Sequence, residues 1–249
     1  PWVKEMLASG HETFYRSDDG RLSYYDPPRR SYRQACTTEP IGNEVFCLEL
    51  VSNTLDAVAL ASLRDALDTI EDGGYAGLVI TNQATDFCIG SDLSVKELQD
   101  ALMRVRFSSK PVVAAPAGRT LGAGAVLSMS ATAIVAAAET YMGQIGVGGC
   151  KEMVRRIVSP AMKTPNTDPL PLLQQVLQTI ATGKVSTSAA EAGSLGFLAA
   201  SDRVVMNRDH QVGLAKQVVV ELADAGYSRP VRGKNCYAAG RDALAALRA

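Results

Sequence analysis

The sequence predicts an α/β fold in which helices cover a sheet. Short apolar runs of strand length alternate with longer segments in which apolar residues recur at helical spacing. Glycines and prolines separate the two kinds of segment, which is typical of a layered fold. Of the 249 residues, 47% are hydrophobic and 20% are charged, so the chain can build a sizeable core and is not of the disordered class.

The predicted elements follow one another along the chain. We expect strands at residues 44–51, 76–81, 111–115, 133–138 and 202–206, and helices at residues 57–71, 96–107, 126–130, 151–158, 171–182 and 209–225. Asn53 or Thr54 is expected to cap the helix at 57–71. Glycines at 118, 122 and 124 precede the short helix at 126–130. They let the backbone come close either to a ligand or to another chain segment.

Residues 1–35 differ from the sequence that follows. They are rich in aromatic residues and alternate turns with short extended pieces, after a helix expected at residues 3–9. We expect them to be the trailing part of another domain, or an arm that lies on one. The first residue is not methionine, so we expect a fragment or a processed product.

Charge and residue counts argue against several function classes. The formal net charge is −1 and no basic block occurs, which disfavours a nucleic-acid surface. No apolar run approaches the roughly 20 residues of a membrane-spanning helix. Two histidines far apart disfavour a histidine metal site, and no GxSxG elbow supports a Ser-His-Asp triad. The five cysteines form no CxxC pair, so we expect buried, reduced thiols in a cytoplasmic protein.

Three motifs carry a resemblance to a known family. They are NTLDA after the first strand, FCIGSDL after the second, and KPVVAAPAGRTLGAGA after a helix. Together they resemble the crotonase superfamily of enoyl-CoA hydratases and isomerases. More narrowly, WVKEMLASGHETFY, GGCKEM and SDRVVMNRD resemble the C-terminal part of bacterial proteins that fuse a 3-hydroxyacyl-CoA dehydrogenase to a crotonase-like domain.

The resemblance implies a fold and a domain order. The fold would be a crotonase-like (ClpP/crotonase) spiral of ββα units with a helical C-terminal region. Residues 1–35 would be the trailing segment of a dehydrogenase moiety, residues 36–200 the crotonase-like core, and residues 201–249 the C-terminal helical region. NAD would belong only to the dehydrogenase half, since no GxGxxG motif occurs in this sequence.

The resemblance also implies a biochemical role. The substrate would be an acyl-CoA of fatty-acid β-oxidation, with no covalently bound cofactor. The dehydrogenase moiety of the same parent protein would be the partner, and a homo-oligomer is a further expectation. Crotonases stabilise an enolate-like oxyanion with two backbone N–H groups. The resemblance places these donors at Ile89 and Ala123, and the CoA moiety against Ser91, Asp92 and Leu93. Ordinary turn chemistry is the alternative for all five residues.

Two departures from the family pattern concern proton transfer. Hydratases add water with two glutamates, one as base and one as acid. The first belongs at Val126, which cannot transfer a proton. The second belongs after Met142, where the sequence MGQIGVGG lacks it and several following residues. Glu139 and Glu152 lie nearby in sequence but at the wrong spacing, and we expect them to be ordinary surface or strand-end glutamates.

Two explanations of this shortening stay open. The protein has lost a loop and is a catalytically silent acyl-CoA-binding or scaffolding domain, or a mobile loop is missing from the printed sequence. In the second case the breaks fall between Ile145 and Gly146 and between Leu93 and Lys96. The second explanation is favoured because both places border the proposed cleft. With a missing loop the chain would be an active enzyme, an enoyl-CoA hydratase or, in preference, an isomerase. An isomerase is preferred because isomerisation needs a single acid–base group.

Overall fold

The structure is a computed structural model, and it describes the chain almost continuously from residue 44 onward. The described residues are 8, 15–18, 21–26, 31–34, 39–41, 44–50, 52–146, 148–232 and 236–248. Side chains are described at residues 8 and 41 and from residue 44 onward, except at 242 and 248. The helix expected at residues 3–9 falls almost wholly outside this part of the chain.

Eleven strands in the described residues form three sheets. They are β1 (Tyr15–Asp18), β2 (Arg21–Asp26), β3 (Ser31–Gln34), β4 (Glu39–Pro40), β5 (Val45–Glu49), β6 (Gly77–Thr81), β7 (Val112–Ala115), β8 (Gly118–Leu121), β9 (Ala133–Ala137), β10 (Thr140–Gly143) and β11 (Arg203–Val205). The main sheet has the order β11-β9-β7-β6-β5-β4 and is parallel except where β4 meets β5. β1, β2 and β3 form an antiparallel sheet, and β8 pairs with β10 in parallel.

Nine α-helices lie within the described residues. They are α1 (Ala57–Asp72), α2 (Val95–Arg106), α3 (Ala123–Ser130), α4 (Gly149–Met153), α5 (Ser159–Ala161), α6 (Leu170–Ala181), α7 (Ala189–Ser194), α8 (Gln211–Asp224) and α9 (Gly240–Arg248). A π-helical segment follows α4 at Val154–Val158, and a 3-10 turn precedes α8 at Arg208–His210. None of the helices described here has the length and apolar character needed to cross a bilayer.

The order of these elements repeats a ββα unit, as predicted. The pairs β7-β8 and β9-β10 are each followed by a helix, α3 and α4. In the two units before them the second strand is reduced to single bridges, Leu55 with Ser91 and Cys88 with Thr120. These bridges and the β8–β10 pair join the residues that precede successive helices, so the beginnings of those helices lie close together.

Helices cover both faces of the main sheet. One face packs against the leucines of α1 and against α3, all of whose residues are buried. On the other face, α8 packs Val212, Ala215 and Val219 against β6, β7 and β9. Because both faces are covered, the central strands are apolar on both sides. The predicted C-terminal region thus supplies the edge strand β11 and the covering helix α8.

Three local expectations are corrected by the structure. Asp56 caps α1 in place of Asn53 or Thr54, because its carboxylate accepts the Ala59 N–H at 2.7 Å. The helix expected from residue 126 begins three residues earlier, at Ala123. The single helix expected at 151–158 is instead the short α4 followed by the π-helical segment.

The cysteines differ from the expected set of buried, reduced thiols. Cys88 is free and buried, and burial raises the pKa of its thiol. Cys150 and Cys236 are free but exposed. Cys47 is buried and disulfide-bonded. The prediction is therefore wrong for three of the four cysteines that the structure describes.

Candidate active site

The candidate site lies where the FCIGSDL turn meets the N-terminus of α3. The N–H of Leu121 donates to the carbonyl of Cys88 at 2.8 Å, and the N–H of Leu55 donates to the carbonyl of Gly90 at 3.0 Å. These bonds hold the turn between the end of β8 and the segment before α1. The two glycine-containing turns that the sequence singled out are therefore neighbours.

Two glycines allow α3 to begin against that turn. Gly122, the N-cap of α3, has φ of 55° and ψ of −115°, a conformation that L side chains rarely adopt. A Cβ on Gly124 would lie 2.3 Å from the carbonyl oxygen of Cys88, closer than any real Cβ contact. The glycines were expected to allow close approach either of a ligand or of another chain segment. At Gly124 it is another chain segment, the turn at Cys88, that comes close.

The N–H of Ala123 is available as a hydrogen-bond donor. Ala123 is the first residue of α3, and the first N–H groups of a helix have no acceptor within it. Among the described residues, none accepts a hydrogen bond from this N–H. The positive end of the helix dipole lies at the same place and favours a negatively charged oxygen.

The N–H of Ile89, the second expected donor, is already engaged. It donates to the carbonyl of Asn53 at 2.7 Å, which is a normal hydrogen-bond length. The expectation that the N–H groups of Ile89 and Ala123 converge on one oxygen stays a prediction. Ile89 can act as an oxyanion donor only after its bond to Asn53 opens.

The three residues expected to meet CoA have partners within the turn. The Ser91 hydroxyl donates to the carbonyl of Leu55 at 2.7 Å and accepts the N–H of Leu93 at 3.1 Å. The N–H of Asp92 donates to the same Leu55 carbonyl at 3.3 Å. These contacts are ordinary turn chemistry, and the CoA role of the three residues stays a prediction.

A cavity of about 290 Å³ opens beside α3. Its walls come from α2, α3 and the start of α4, and include Leu102, Met103, Arg106, Val126, Ser130 and Glu152. Val126 and Ser130 follow Ala123 by three and seven residues, so all three lie on one face of the helix. The cavity therefore runs along the helix face that begins at the free N–H. Its volume is at the lower end of the range of ~300–1,000 Å³ for ligand pockets.

The carboxylates near the cavity differ in placement. Val126 is 1% exposed and brings no titratable group into the cavity. Glu139 is exposed in the turn between β9 and β10, as expected. Glu152 is 7% exposed and lines the same cavity as Val126, which corrects its assignment as an ordinary surface glutamate. Sequence spacing could not reveal this placement, because it depends on how α4 packs against α3.

Two arginine side chains lie near Glu152. Arg155 Nε donates to Glu152 Oε2 at 2.6 Å, and Arg106 lines the same cavity. Burial lowers the pKa of the Arg106 guanidinium, and repulsion from Arg155 and Arg156 acts in the same direction. The charge of Glu152 opposes that shift. In the described part of the chain, no group of three or more His, Cys, Asp or Glu side chains could hold a metal ion.

Comparison with known sequences gives one long match. No family model matches the chain. The chain is 32% identical, over 94% of its length, to a protein of Bacillus subtilis described as a probable 3-hydroxyacyl-CoA dehydrogenase, and spans 35% of that protein. The match extends over 286 aligned positions, more than the 249 residues of this chain. The relative therefore has residues inside the matched region that this chain lacks. The choice between a lost loop and a mobile loop that is missing from the sequence stays a prediction.

Solved structures give the fold. An enoyl-CoA hydratase from Bacillus anthracis matches with a TM-score of 0.55 and 23% identity, over 73% of this chain and 72% of that chain. A monofunctional enoyl-CoA isomerase from M. smegmatis matches with a TM-score of 0.56 and 20% identity, over 75% of this chain and 83% of that chain. The chain therefore has the crotonase fold, which these enoyl-CoA hydratases and isomerases share.

Proposed function

We propose that this chain binds acyl-CoA thioesters and isomerises a carbon–carbon double bond in the acyl chain, as a crotonase-type domain of fatty-acid β-oxidation. The observation that carries the proposal is the N–H of Ala123. It begins α3 with no acceptor in the described residues, next to a cavity along the same helix face. A thioester oxygen accepting this N–H would have its acyl chain beside Val126.

The chemistry requires charge stabilisation at that oxygen. Removing a proton from the carbon next to a thioester puts negative charge on the thioester oxygen. A preorganised backbone N–H in a buried site, aligned with a helix dipole, stabilises such charge far better than water does. Because a backbone N–H does not depend on the side chain, alanine at position 123 serves as well as glycine.

Isomerisation suits the cavity better than hydration does. Hydration needs one group to activate water and another to deliver a proton. Val126 occupies the expected place of the first of these groups and carries no proton. Isomerisation removes a proton from one carbon and returns it to another, so a single carboxylate is enough.

Ile89 would be a conditional donor in this reaction. Its N–H donates to the carbonyl of Asn53. A thioester oxygen bound at Ala123 would compete with Asn53 for that N–H, and the second donor would be gained as the Asn53 bond opens. Ser91, Asp92 and Leu93 follow Ile89 directly, so we propose that the CoA moiety extends over them.

A catalytically silent acyl-CoA-binding or scaffolding domain is the second candidate. The engaged N–H of Ile89 and the apolar Val126 favour it. In either role we propose a dehydrogenase moiety as partner, because the Bacillus subtilis relative is described as a probable 3-hydroxyacyl-CoA dehydrogenase and this chain spans only 35% of it.

The proposal is tested by removing one N–H group. Ala123→Pro deletes the donor at the first position of a helix, where proline is well tolerated. Ala123→Gly is the matched control, since it keeps the N–H and removes only a methyl group. Conversion of a short 3-enoyl-CoA to the conjugated 2-enoyl-CoA is followed by ultraviolet absorbance. Thermal unfolding and circular dichroism check that each variant is folded.

We expect the rate with Ala123→Pro to fall by about 100- to 1,000-fold, the usual effect of losing one oxyanion donor. The rate with Ala123→Gly should stay within about tenfold of the parent chain. Equal rates for the two variants would contradict the role of the Ala123 N–H. A folded parent chain that binds no acyl-CoA would contradict the proposed function as a whole.

A further inference from the structure

Glu152 is at neither of the positions where a catalytic glutamate was expected, and its carboxylate nevertheless lies in the lining of the cavity. Its residue exposure is 7%, and carboxylates are rarely buried to this extent unless they are paired. It reaches the cavity from α4, whereas the expected glutamate would have come from α3 at position 126. The cavity thus has a buried carboxylate although α3 supplies none. The other carboxylate of its lining, Asp100, is exposed and paired with Lys96 at 2.7 Å.

The two oxygens of Glu152 are in different situations. Oε2 accepts a hydrogen bond from Arg155 Nε at 2.6 Å. No described residue donates a hydrogen bond to Oε1. This atom is not fully buried. One oxygen is therefore held by an ion pair, and the other is accessible and has no donor, on a residue that lines the cavity. This is the arrangement of a positioned proton acceptor, since an ionised carboxylate offers only acceptor sites.

Close contact between α4 and α3 sets this placement. A Cβ on Gly149, the first residue of α4, would lie 3.0 Å from a methyl group of Val126, which is tighter than most real Cβ contacts. The N–H of Glu152 reaches back to the carbonyl of Gly148 at 3.4 Å, so the glutamate lies one helical turn from that contact. The start of α4 is thus packed on Val126, and Glu152 is held within a turn of it.

The helix that carries Glu152 is anchored behind the cavity. The π-helical segment after α4 places Arg156 where its Nη2 donates to the carbonyl of Met129 in α3 at 3.1 Å, and its Nη1 donates to Asp202 at 3.0 Å. π-helical segments are frequent at functional sites. This anchor fixes the distance between the helix with the free N–H and the helix with the carboxylate.

We propose that Glu152 is the catalytic residue that moves the proton during isomerisation; this inference rests on the proposed function. Oε1 takes a proton from C2 of a 3-enoyl thioester. The C2–H electron pair becomes the C2=C3 bond as the C3=C4 pair moves to C4 through the dienolate, whose oxygen is held by Ala123. The carboxylic acid then returns the proton to C4. Nothing is oxidised or reduced, and the carboxylate is regenerated.

The test compares two glutamine substitutions that remove the same charge. Glu152→Gln keeps the shape of the side chain and removes its ability to carry the proton. Glu139→Gln is the matched control, since Glu139 is exposed in the turn between β9 and β10. Each variant is assayed for conversion of a short 3-enoyl-CoA and, separately, for binding of a saturated acyl-CoA by calorimetry. Glu152→Asp is added because it keeps the ion-pair charge if glutamine at 152 prevents folding.

We expect Glu152→Gln to convert substrate at least 100-fold more slowly, the lower end of general acid–base contributions, with binding of the saturated acyl-CoA within about threefold. Glu152→Asp should fall between it and the parent chain, and Glu139→Gln should match the parent. A parent chain that binds acyl-CoA and converts nothing overturns the inference about Glu152 and leaves binding intact. Full activity in Glu152→Gln overturns it as well. A parent chain that binds no acyl-CoA overturns the proposed function itself.

Discussion

Asp202→Ala should be among the most destabilising single substitutions in this chain. The Asp202 carboxylate is buried beside Arg156, and the side chains of the pair are only 3% and 5% exposed. Asp202 also accepts the N–H of Ile134 at 2.9 Å and of Ala199 at 2.7 Å. Removal of the carboxylate would leave one buried cation and two backbone N–H groups without this acceptor.

The expected cost follows from that environment. Breaking a buried ion pair by removing one partner costs about 3–5 kcal/mol, because a buried charge is left uncompensated. Burial already lowers the pKa of the Arg156 guanidinium, and Arg156 Nε is buried with no partner in the described residues. The cost is therefore a large part of a typical domain stability of about 5–15 kcal/mol.

Glu221→Ala is the control for this substitution. Glu221 pairs with Arg203 at 2.5 Å, but the two side chains are 44% and 41% exposed. An exposed pair contributes little to stability because solvent screens it, so Glu221→Ala should leave stability almost unchanged. Urea unfolding at pH 7 measures both variants. A loss below about 1 kcal/mol for Asp202→Ala, or equal losses for the two, would refute this account of the anchor between the π-helical segment and the sheet.

Two further substitutions test the packing at the candidate site and its electrostatics. Gly124→Ala should destabilise the fold by about 1–3 kcal/mol, because the new Cβ would lie 2.3 Å from the Cys88 carbonyl oxygen. Gly213→Ala, in the exposed face of α8 with nothing within 4 Å, should instead stabilise by about 0.4–1 kcal/mol, and a loss of stability there would contradict the comparison. The hydrogen bond from the Arg119 side chain lowers the pKa of Asp86 in the folded protein. The ionised Asp86 therefore adds to the free energy of unfolding above the unfolded-state pKa of about 3.9, and this stabilisation is lost as the pH falls through the folded-state pKa. Asp86→Asn should therefore destabilise at pH 7, and urea unfolding should show the difference from the parent shrinking below about pH 4; a constant difference would disprove the linkage.

Local pattern predicted the elements of this fold well. The leucine spacing of α1 and the proline-bounded apolar run of β7 are local features, and both elements lie within a residue or two of the expected positions. The start of α3 was missed because Ala123 and Gly124 lie in a glycine-rich stretch with low helix propensity. Tertiary packing against Cys88 overrides that propensity.

The site was harder to predict because its decisive contacts join distant segments. The hydrogen bond between Ile89 and Asn53 links residues 36 positions apart, and no sequence pattern signals it. Glu152 lies beside Val126 only because α4 packs on α3. The glycines that flank Ala123 are a local signal and drew attention to its N–H, although the helix was expected to begin only at residue 126.

The reaction specificity of the parent chain is the most direct test of the central claim. The purified chain is given a short 2-enoyl-CoA and, in a separate assay, the corresponding 3-enoyl-CoA, and both are followed by absorbance of the conjugated thioester and by mass spectrometry of the acyl-CoA. We expect the 3-enoyl-CoA to be converted to its conjugated isomer without change of mass. We also expect hydration of the 2-enoyl-CoA to stay near background, because Val126 offers no second acid–base group. Rapid gain of one water by the 2-enoyl-CoA, with no isomerisation of the 3-enoyl-CoA, would contradict the account.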